Sequence, residues 1–177
     1  RAENFQPNDP EIMLQKGSLF ALQGEFEDAI TYFKKAEDLA EDKDEVYYNI
    51  GFAYQNISDY KVAIEYYKKA IECNINNENA LYELAYCLDV TGELETSLEY
   101  YKKFIDKDPY SEYAWYNLGI VYNKLLNYEK AVDAYEFALA IDEGFSSAYF
   151  NMGNAYMNLQ KYNKALEAYK KTLEIEG

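Results

Sequence analysis

The sequence predicts an all-α solenoid built from one helical unit repeated along the chain. Three observations predict it. First, Gly17, Gly51, Ala85, Gly119 and Gly153 recur in strict 34-residue phase, and so do Ala29, Ala63, Ser97, Ala131 and Ala165, and Phe33, Tyr67, Tyr101, Tyr135 and Tyr169. A period of this size marks a unit that cannot bury its apolar side alone and stacks on copies of itself. Second, apolar residues return at steps of three and four, as at Tyr47, Ile50 and Tyr54, then Tyr60, Ile64, Tyr67 and Ile71. That is the helical period, not strand alternation. Third, only eight Gly and three Pro interrupt 177 residues, which leaves the helices intact.

Counting from residue 10, the units are 10–43, 44–77, 78–111, 112–145 and 146–177. Each holds two apolar-periodic stretches; in the second unit they span 45–57 and 60–73. Gly24, Ser58, Gly92 and Asn127 are predicted to break the chain between the paired helices. Asn76-Asn77 and Asp108-Pro109-Tyr110-Ser111 separate one unit from the next. Asp44, Asn77 and Ser111 are predicted N-caps, since their side-chain oxygens can accept from the first free amides. Helices this short are marginal alone in water, so their order must come from packing. Gly at the eighth position and Ala at the twentieth remove bulk where paired helices cross. Ala36, Ala70 and Ala138 let the next unit approach, and large residues such as Trp115, Tyr122, Tyr128 and Tyr135 fill the remaining space. Lys16 departs from the apolar pattern in the first unit. Ala85, Ser97 and Phe104 depart from it in the third, which predicts altered packing there.

Residues 1–9, with Pro7 in the phase of Pro109, read as the tail of a preceding unit. The last helix reads apolar on two sides at Leu166, Tyr169 and Leu173, which predicts further chain or end-to-end self-association. The units from 10 to 177 read as a single array with no internal boundary.

Charge and chemistry narrow the function. The net charge is −15, from 17 basic and 32 acidic residues. Such a field repels phosphate backbones and anionic surfaces, so nucleic acid is excluded and a neutral or basic protein partner is expected. No apolar run reaches the length of a membrane span, so no membrane insertion is expected. There is no His, no glycine-rich phosphate loop and no metal-ligand pattern. No catalytic residue, cofactor or metal is therefore expected, and the chain does not read as an enzyme. Cys73 and Cys87 lie on successive helices about 10 Å apart in helix rise, too far for a disulfide. Two free, mostly buried thiols suit the cytoplasm, with the periplasm left open. Glu65 with Lys69, Glu99 with Lys103 and Glu167 with Lys171 read as surface helix pairs. Lys34-Lys35, Lys68-Lys69, Lys102-Lys103 and Lys170-Lys171 read as complements to the negative ends of second helices.

Trp115, Leu118, Gly119, Tyr122, Ala131, Tyr135 and Ala138 resemble, in order and spacing, the signature of the tetratricopeptide repeat family, and the resemblance covers residues 10 to 177. It implies antiparallel helix pairs wound into a right-handed superhelix with first helices lining a concave face. It further implies that positions 2, 5, 6, 9, 12 and 13 of each unit shape that face. Position 5 carries Leu14, Tyr48, Tyr82, Tyr116 and Phe150. Position 6 carries Gln15, Asn49, Glu83, Asn117 and Asn151, and position 9 carries Ser18, Phe52, Tyr86, Ile120 and Asn154. The expected groove thus has an aromatic row beside an amide row. Tyr gives large contact area at low entropic cost, and a primary amide can grip a peptide bond from both sides. The cations of the family's dicarboxylate clamp are missing, and Glu11, Glu45, Glu83 and Asp89 make the N-terminal half of the groove acidic. The expected function is a protein-interaction scaffold that holds a peptide or helical segment of a partner in the groove. A substrate-recruiting arm of a larger enzyme and a self-associating structural array are the alternatives.

Overall fold

The computed structural model describes residues 9–177, so the expected tail of a preceding unit at 1–9 lies outside the described residues except for Asp9. Ten helices follow in chain order: α1 (Pro10–Leu22), α2 (Phe26–Leu39), α3 (Asp44–Asn56), α4 (Tyr60–Cys73), α5 (Glu78–Thr91), α6 (Leu94–Ile105), α7 (Glu112–Lys124), α8 (Tyr128–Ile141), α9 (Ser146–Asn158) and α10 (Tyr162–Glu176). They fall into two compact units, one ending at Thr91 and the other running from Gly92 to Gly177.

In the first unit α1 packs on α2 and α3 on α4, and the hairpins join through α2 on α3 and α4 on α5. In the second unit α7 packs on α8 and α9 on α10, joined through α6 on α7 and α8 on α9. Within each unit the short connections make α1 and α2, α3 and α4, α7 and α8, and α9 and α10 antiparallel. They do so through one device. Residues Gly24, Ser58, Gly92, Leu126 and Gln160 occupy the same repeat position, and all have positive φ, between 58° and 86°. In the first hairpin the Glu25 amide donates to Phe20 O and the Gly24 amide to Ala21 O. The pattern recurs as Asp59 to Tyr54 with Ser58 to Gln55, Asn127 to Tyr122 with Leu126 to Asn123, and Lys161 to Tyr156 with Gln160 to Met157. Each is a Schellman closure that satisfies the last carbonyls of the first helix. The break expected at Asn127 therefore falls one residue earlier, at Leu126. Asn127 instead caps α8, its side chain accepting from the Lys130 amide.

Capping follows the sequence in part. The Asn77 Oδ1 accepts from the Ala80 amide at 2.9 Å and the Ser111 hydroxyl from the Ala114 amide at 3.3 Å. Asp9 and Asp59 cap α1 and α4. Asp44 does not cap α3: it is the first helical residue, after a Lys43 without a side-chain cap bond. Its Oδ1 turns instead to the Glu45 amide.

In each unit the core is built of rings set against glycines. Phe33, Tyr67 and Tyr135 are almost wholly buried. A Cβ on Gly51 would lie 2.9 Å from the Tyr67 ring, one on Gly119 2.5 Å from Tyr135, and one on Gly153 2.6 Å from Tyr169; Gly17 meets the Phe33 ring in the same way. The ring occupies the space that a side chain would need. The alanines at the twentieth and twenty-seventh positions, Ala29, Ala36, Ala63, Ala70, Ala131 and Ala138, are fully buried. In the third repeat Ser97, Tyr101 and Phe104 are also buried. There α6 stops at Ile105, two residues before the length reached by α2, α4 and α8. The chain turns through Lys107 and Asp108, whose amides both donate to Phe104 O, ahead of Pro109, whose ring disfavours helix in the residue before it.

Three surface expectations are corrected. The lysine pairs do not as a rule serve helix ends: only α6, the short helix, carries its pair in the last turn. At least one lysine of each of the first three pairs lies over a tyrosine ring instead. Lys34 sits 5.4 Å from the Tyr54 centroid, Lys69 4.3 Å from Tyr66, Lys102 5.7 Å from Tyr122 and Lys103 4.5 Å from Tyr100. Lys16, apolar in the other repeats, does the same over Tyr32. Lys171 bridges Glu174 at 2.7 Å rather than Glu167. The ring faces attract these cations where exposed carboxylates, well hydrated, hold them weakly. Cys73, expected to be mostly buried, is exposed at the end of α4; Cys87 is buried, and both are free.

Two stability changes follow. Gly119→Ala forces a methyl group into the Tyr135 ring and is expected to lower stability by about 1–3 kcal/mol. Leu126→Gly relieves a left-handed residue whose side chain is exposed, and is expected to raise stability by about 0.5–1 kcal/mol. Urea unfolding midpoints at constant m-value check both.

Candidate functional site

Within each unit the first helices of successive hairpins touch one another: α1 with α3, α3 with α5, and α7 with α9. No such contact joins second helices among the described elements of either unit. The first-helix side is therefore the inner side of each stack, and it carries the expected groove residues.

In the first unit Tyr48, Asn49 and Phe52 stand half-buried on α3, and Tyr82, Glu83 and Tyr86 stand on α5, with Tyr86 36% exposed. Tyr48 lies 6.4 Å from Phe52 and 5.9 Å from the buried Tyr67 ring, and Phe52 packs edge-on to Phe26 of α2. Asn49 makes no side-chain hydrogen bond among the described residues, so its carboxamide is open to a ligand.

In the second unit Tyr116 and Asn117 stand on α7, and Phe150, Asn151 and Asn154 on α9. Tyr116 lies 5.9 Å from Tyr135, and Phe150, half-exposed, lies 5.9 Å from Tyr169. The fifth-position ring thus rests on the ring that fills the glycine gap, at one distance in three repeats. Two of the amides expected to grip a ligand are already engaged. Asn151 Nδ2 donates to the Tyr116 hydroxyl at 2.8 Å, and Asn154 Oδ1 accepts from the Tyr169 hydroxyl at 2.8 Å. Asn151 still has its carbonyl oxygen, and Asn154 its NH2, to offer.

The structure adds a residue that the sequence reading passed over. Gln55, at position 12 of the second repeat, ties α3 to α5. Its Nε2 donates to Glu83 Oε2 at 2.7 Å, while its Oε1 accepts from the Tyr67 hydroxyl at 2.7 Å and the Cys87 thiol at 3.2 Å. Position 12 belongs to the inner set, which was the available signal. The 28-residue step from Gln55 to Glu83 crosses repeats and has no local pattern. In the fourth repeat the corresponding residue is the shorter Asn123. There neither Asn123 Oδ1 nor the buried Tyr135 hydroxyl has a hydrogen-bond partner among the described residues.

This polar cluster carries the main electrostatic feature of the inner side. Burial raises the Glu83 carboxyl above the ordinary range, and the bond from Gln55 only partly opposes it. Burial, with the Glu83 charge second, raises the Tyr48 hydroxyl and pushes the Cys87 thiol up to about 12. The same two causes raise Tyr67. No cation offsets Glu83 among the described residues. None of these residues groups with others to hold a metal ion, and no helix is long and apolar enough to cross a membrane.

Family models described as tetratricopeptide repeat match residues 44–74, 66–99, 112–145 and 146–177, and one described as TPR repeat matches 17–58. Among solved structures, a crystal structure of MamA is 29% identical over 90% of this chain and 94% of that one, with a TM-score of 0.87. MamA 41-end from Desulfovibrio magneticus RS-1 is 22% identical, with 94% of each chain covered and a TM-score of 0.91. YrrB, described as a TPR protein with an unusual peptide-binding site, is 23% identical over 95% of this chain and 87% of that one, with a TM-score of 0.85. No curated protein matches the sequence significantly. The fold class is thus the all-α solenoid of these repeats.

The raised Glu83 carboxyl gives a signed pH dependence. The folded state holds this proton more tightly than the unfolded chain, so the contribution of Glu83 to stability falls as pH rises from the ordinary carboxylate value through the folded one. Tyr48, Tyr67 and Cys87 stay neutral across that window. Glu83→Gln keeps an acceptor for Gln55 without the charge. It is expected to unfold at higher urea than the parent at pH 7, with the difference vanishing below about pH 4. Paired urea titrations at the two pH values check this.

Proposed function

This chain belongs to the tetratricopeptide repeat family, whose members are protein-interaction scaffolds, and on that premise we propose that it holds a segment of a partner protein against the first helices of its units. One observation carries the reading: Tyr48, Tyr116 and Phe150 each rest on a ring of the core and remain partly open on the inner side. Rings held in this way lose little freedom on binding, which is what makes aromatic anchors effective. Asn49, Asn117, Asn151 and Asn154 beside them supply carboxamides for the backbone of the bound segment. The charge of −15 favours a neutral or basic segment and disfavours an acidic one. The module itself is non-catalytic in this reading.

The test is a double variant, Tyr48→Ala with Phe150→Ala. Loss of these anchors is expected to weaken capture of the native partner by about 1–3 kcal/mol, while circular dichroism shows the helices retained. Undiminished capture by a folded double variant would remove the groove reading.

A further inference from the structure

We propose that Glu83 is the seat of an arginine side chain of the bound segment. The inference rests on the groove reading and specifies one contact within it.

The argument starts from the sixth repeat position. In the other four repeats it carries a neutral amide: Gln15, Asn49, Asn117 and Asn151. Only the third repeat carries a carboxylate there. Its one tie to the protein, Gln55 Nε2 at 2.7 Å, asks only for an acceptor oxygen. An amide would supply that oxygen without a charge. The carboxylate is half-buried and unpaired, so in the free chain it works against the fold, as its raised proton affinity records. A side chain present for packing alone would not have this effect.

Gln55 makes the arrangement rigid. Its Oε1 receives both the Tyr67 hydroxyl and the Cys87 thiol, at 2.7 and 3.2 Å, which uses both acceptor sites. The amide therefore cannot flip, and its NH2 stays on Glu83 Oε2. The other carboxylate oxygen, Oε1, is left without a protein donor among the described residues. The surroundings then define the missing group. Tyr67 shares Gln55 with Glu83, Tyr48 packs 5.9 Å from Tyr67, and Tyr86 stands three residues on along α5, so tyrosines lie in the neighbourhood of Glu83. The inner positions of the first unit supply no basic residue, and Glu11 and Glu45 add to the negative field. A guanidinium meets all of these conditions. It offers several N–H donors in one plane to a carboxylate, stacks on tyrosine faces and is more weakly hydrated than an ammonium, so it enters a half-buried site at lower cost. An anionic ligand would be repelled.

The experiment uses the whole 177-residue chain and acetylated, amidated nine-residue Ala/Ser peptides with one central residue, followed by NMR titration up to millimolar peptide. The central residue is arginine or its neutral isostere citrulline. The arginine peptide is expected to bind the parent about tenfold more tightly than the citrulline peptide, or better. Glu83→Gln is expected to abolish that preference. Glu65→Gln, which removes an exposed carboxylate on α4, is expected to keep it. Glu83→Gln is itself expected to be at least as stable as the parent, so a lost preference will not reflect unfolding. Equal binding of the two peptides, no detectable binding of the arginine peptide, or a preference that survives Glu83→Gln would each overturn the inference. A preference lost equally in Glu65→Gln would also overturn it, by assigning the effect to net charge. The Tyr48→Ala with Phe150→Ala variant separates the two readings. If it weakens both peptides while Glu83→Gln changes nothing, the groove stands and the arginine seat falls.

Discussion

The hairpins of the first, second, fourth and fifth repeats depend on an aromatic ring set against a glycine of the partner helix, at Gly17, Gly51, Gly119 and Gly153. The glycine at the eighth position and the ring at the twenty-fourth set how closely the paired helices approach, and a Cβ there would sit within the ring's own contact distance. Much else follows from this contact. The buried ring supplies apolar area that a helix of 12–15 residues cannot supply alone. The buried alanines beside it keep the crossing tight. The left-handed residue between the helices returns the chain at the angle that brings ring and glycine together. Where the sequence offers Leu126 or Gln160 instead of glycine, the backbone still adopts positive φ. The packing of the hairpin outweighs the local preference of the residue.

The same ring connects the core to the inner side. Its outer face supports the fifth-position aromatic at 5.9 Å in three repeats. Its hydroxyl reaches inner-side amides, Gln55 in the second repeat and Asn154 in the fifth. Core and groove are thus not separate layers. This explains why part of the amide row is engaged from within. In the fourth repeat, Asn123 is one methylene shorter than Gln55 and Ile120 replaces the amide found at Asn154. The Tyr135 hydroxyl then has no hydrogen-bond partner among the described residues. One repeat plan produces three different polar arrangements through changes at the ninth and twelfth positions.

Glu83 stands apart from that plan. The fold would be better served by a neutral amide, as elsewhere at its position, yet the carboxylate is clamped by Gln55. Stability and binding pull in opposite directions at such a place, which is common where a site must be ready for a charge it does not yet hold.

The inner positions came from the family resemblance, while the sequence by itself determined the repeat length, the helix pairs and the residues that build the crossing. These are local or strictly periodic, and period is what a linear chain displays. It placed the α3 and α4 boundaries within a residue or so. Only the tertiary structure decided the rest. Asp44 lost its cap and Leu126 took the left-handed turn because hairpin geometry, not residue preference, set those positions. Lysines of the first three pairs turned to tyrosine rings because those rings come from other turns and other helices. The link from Tyr67 through Gln55 to Glu83 was invisible because hydrogen bonds between successive repeats depend on side-chain length and reach, and no spacing rule encodes reach.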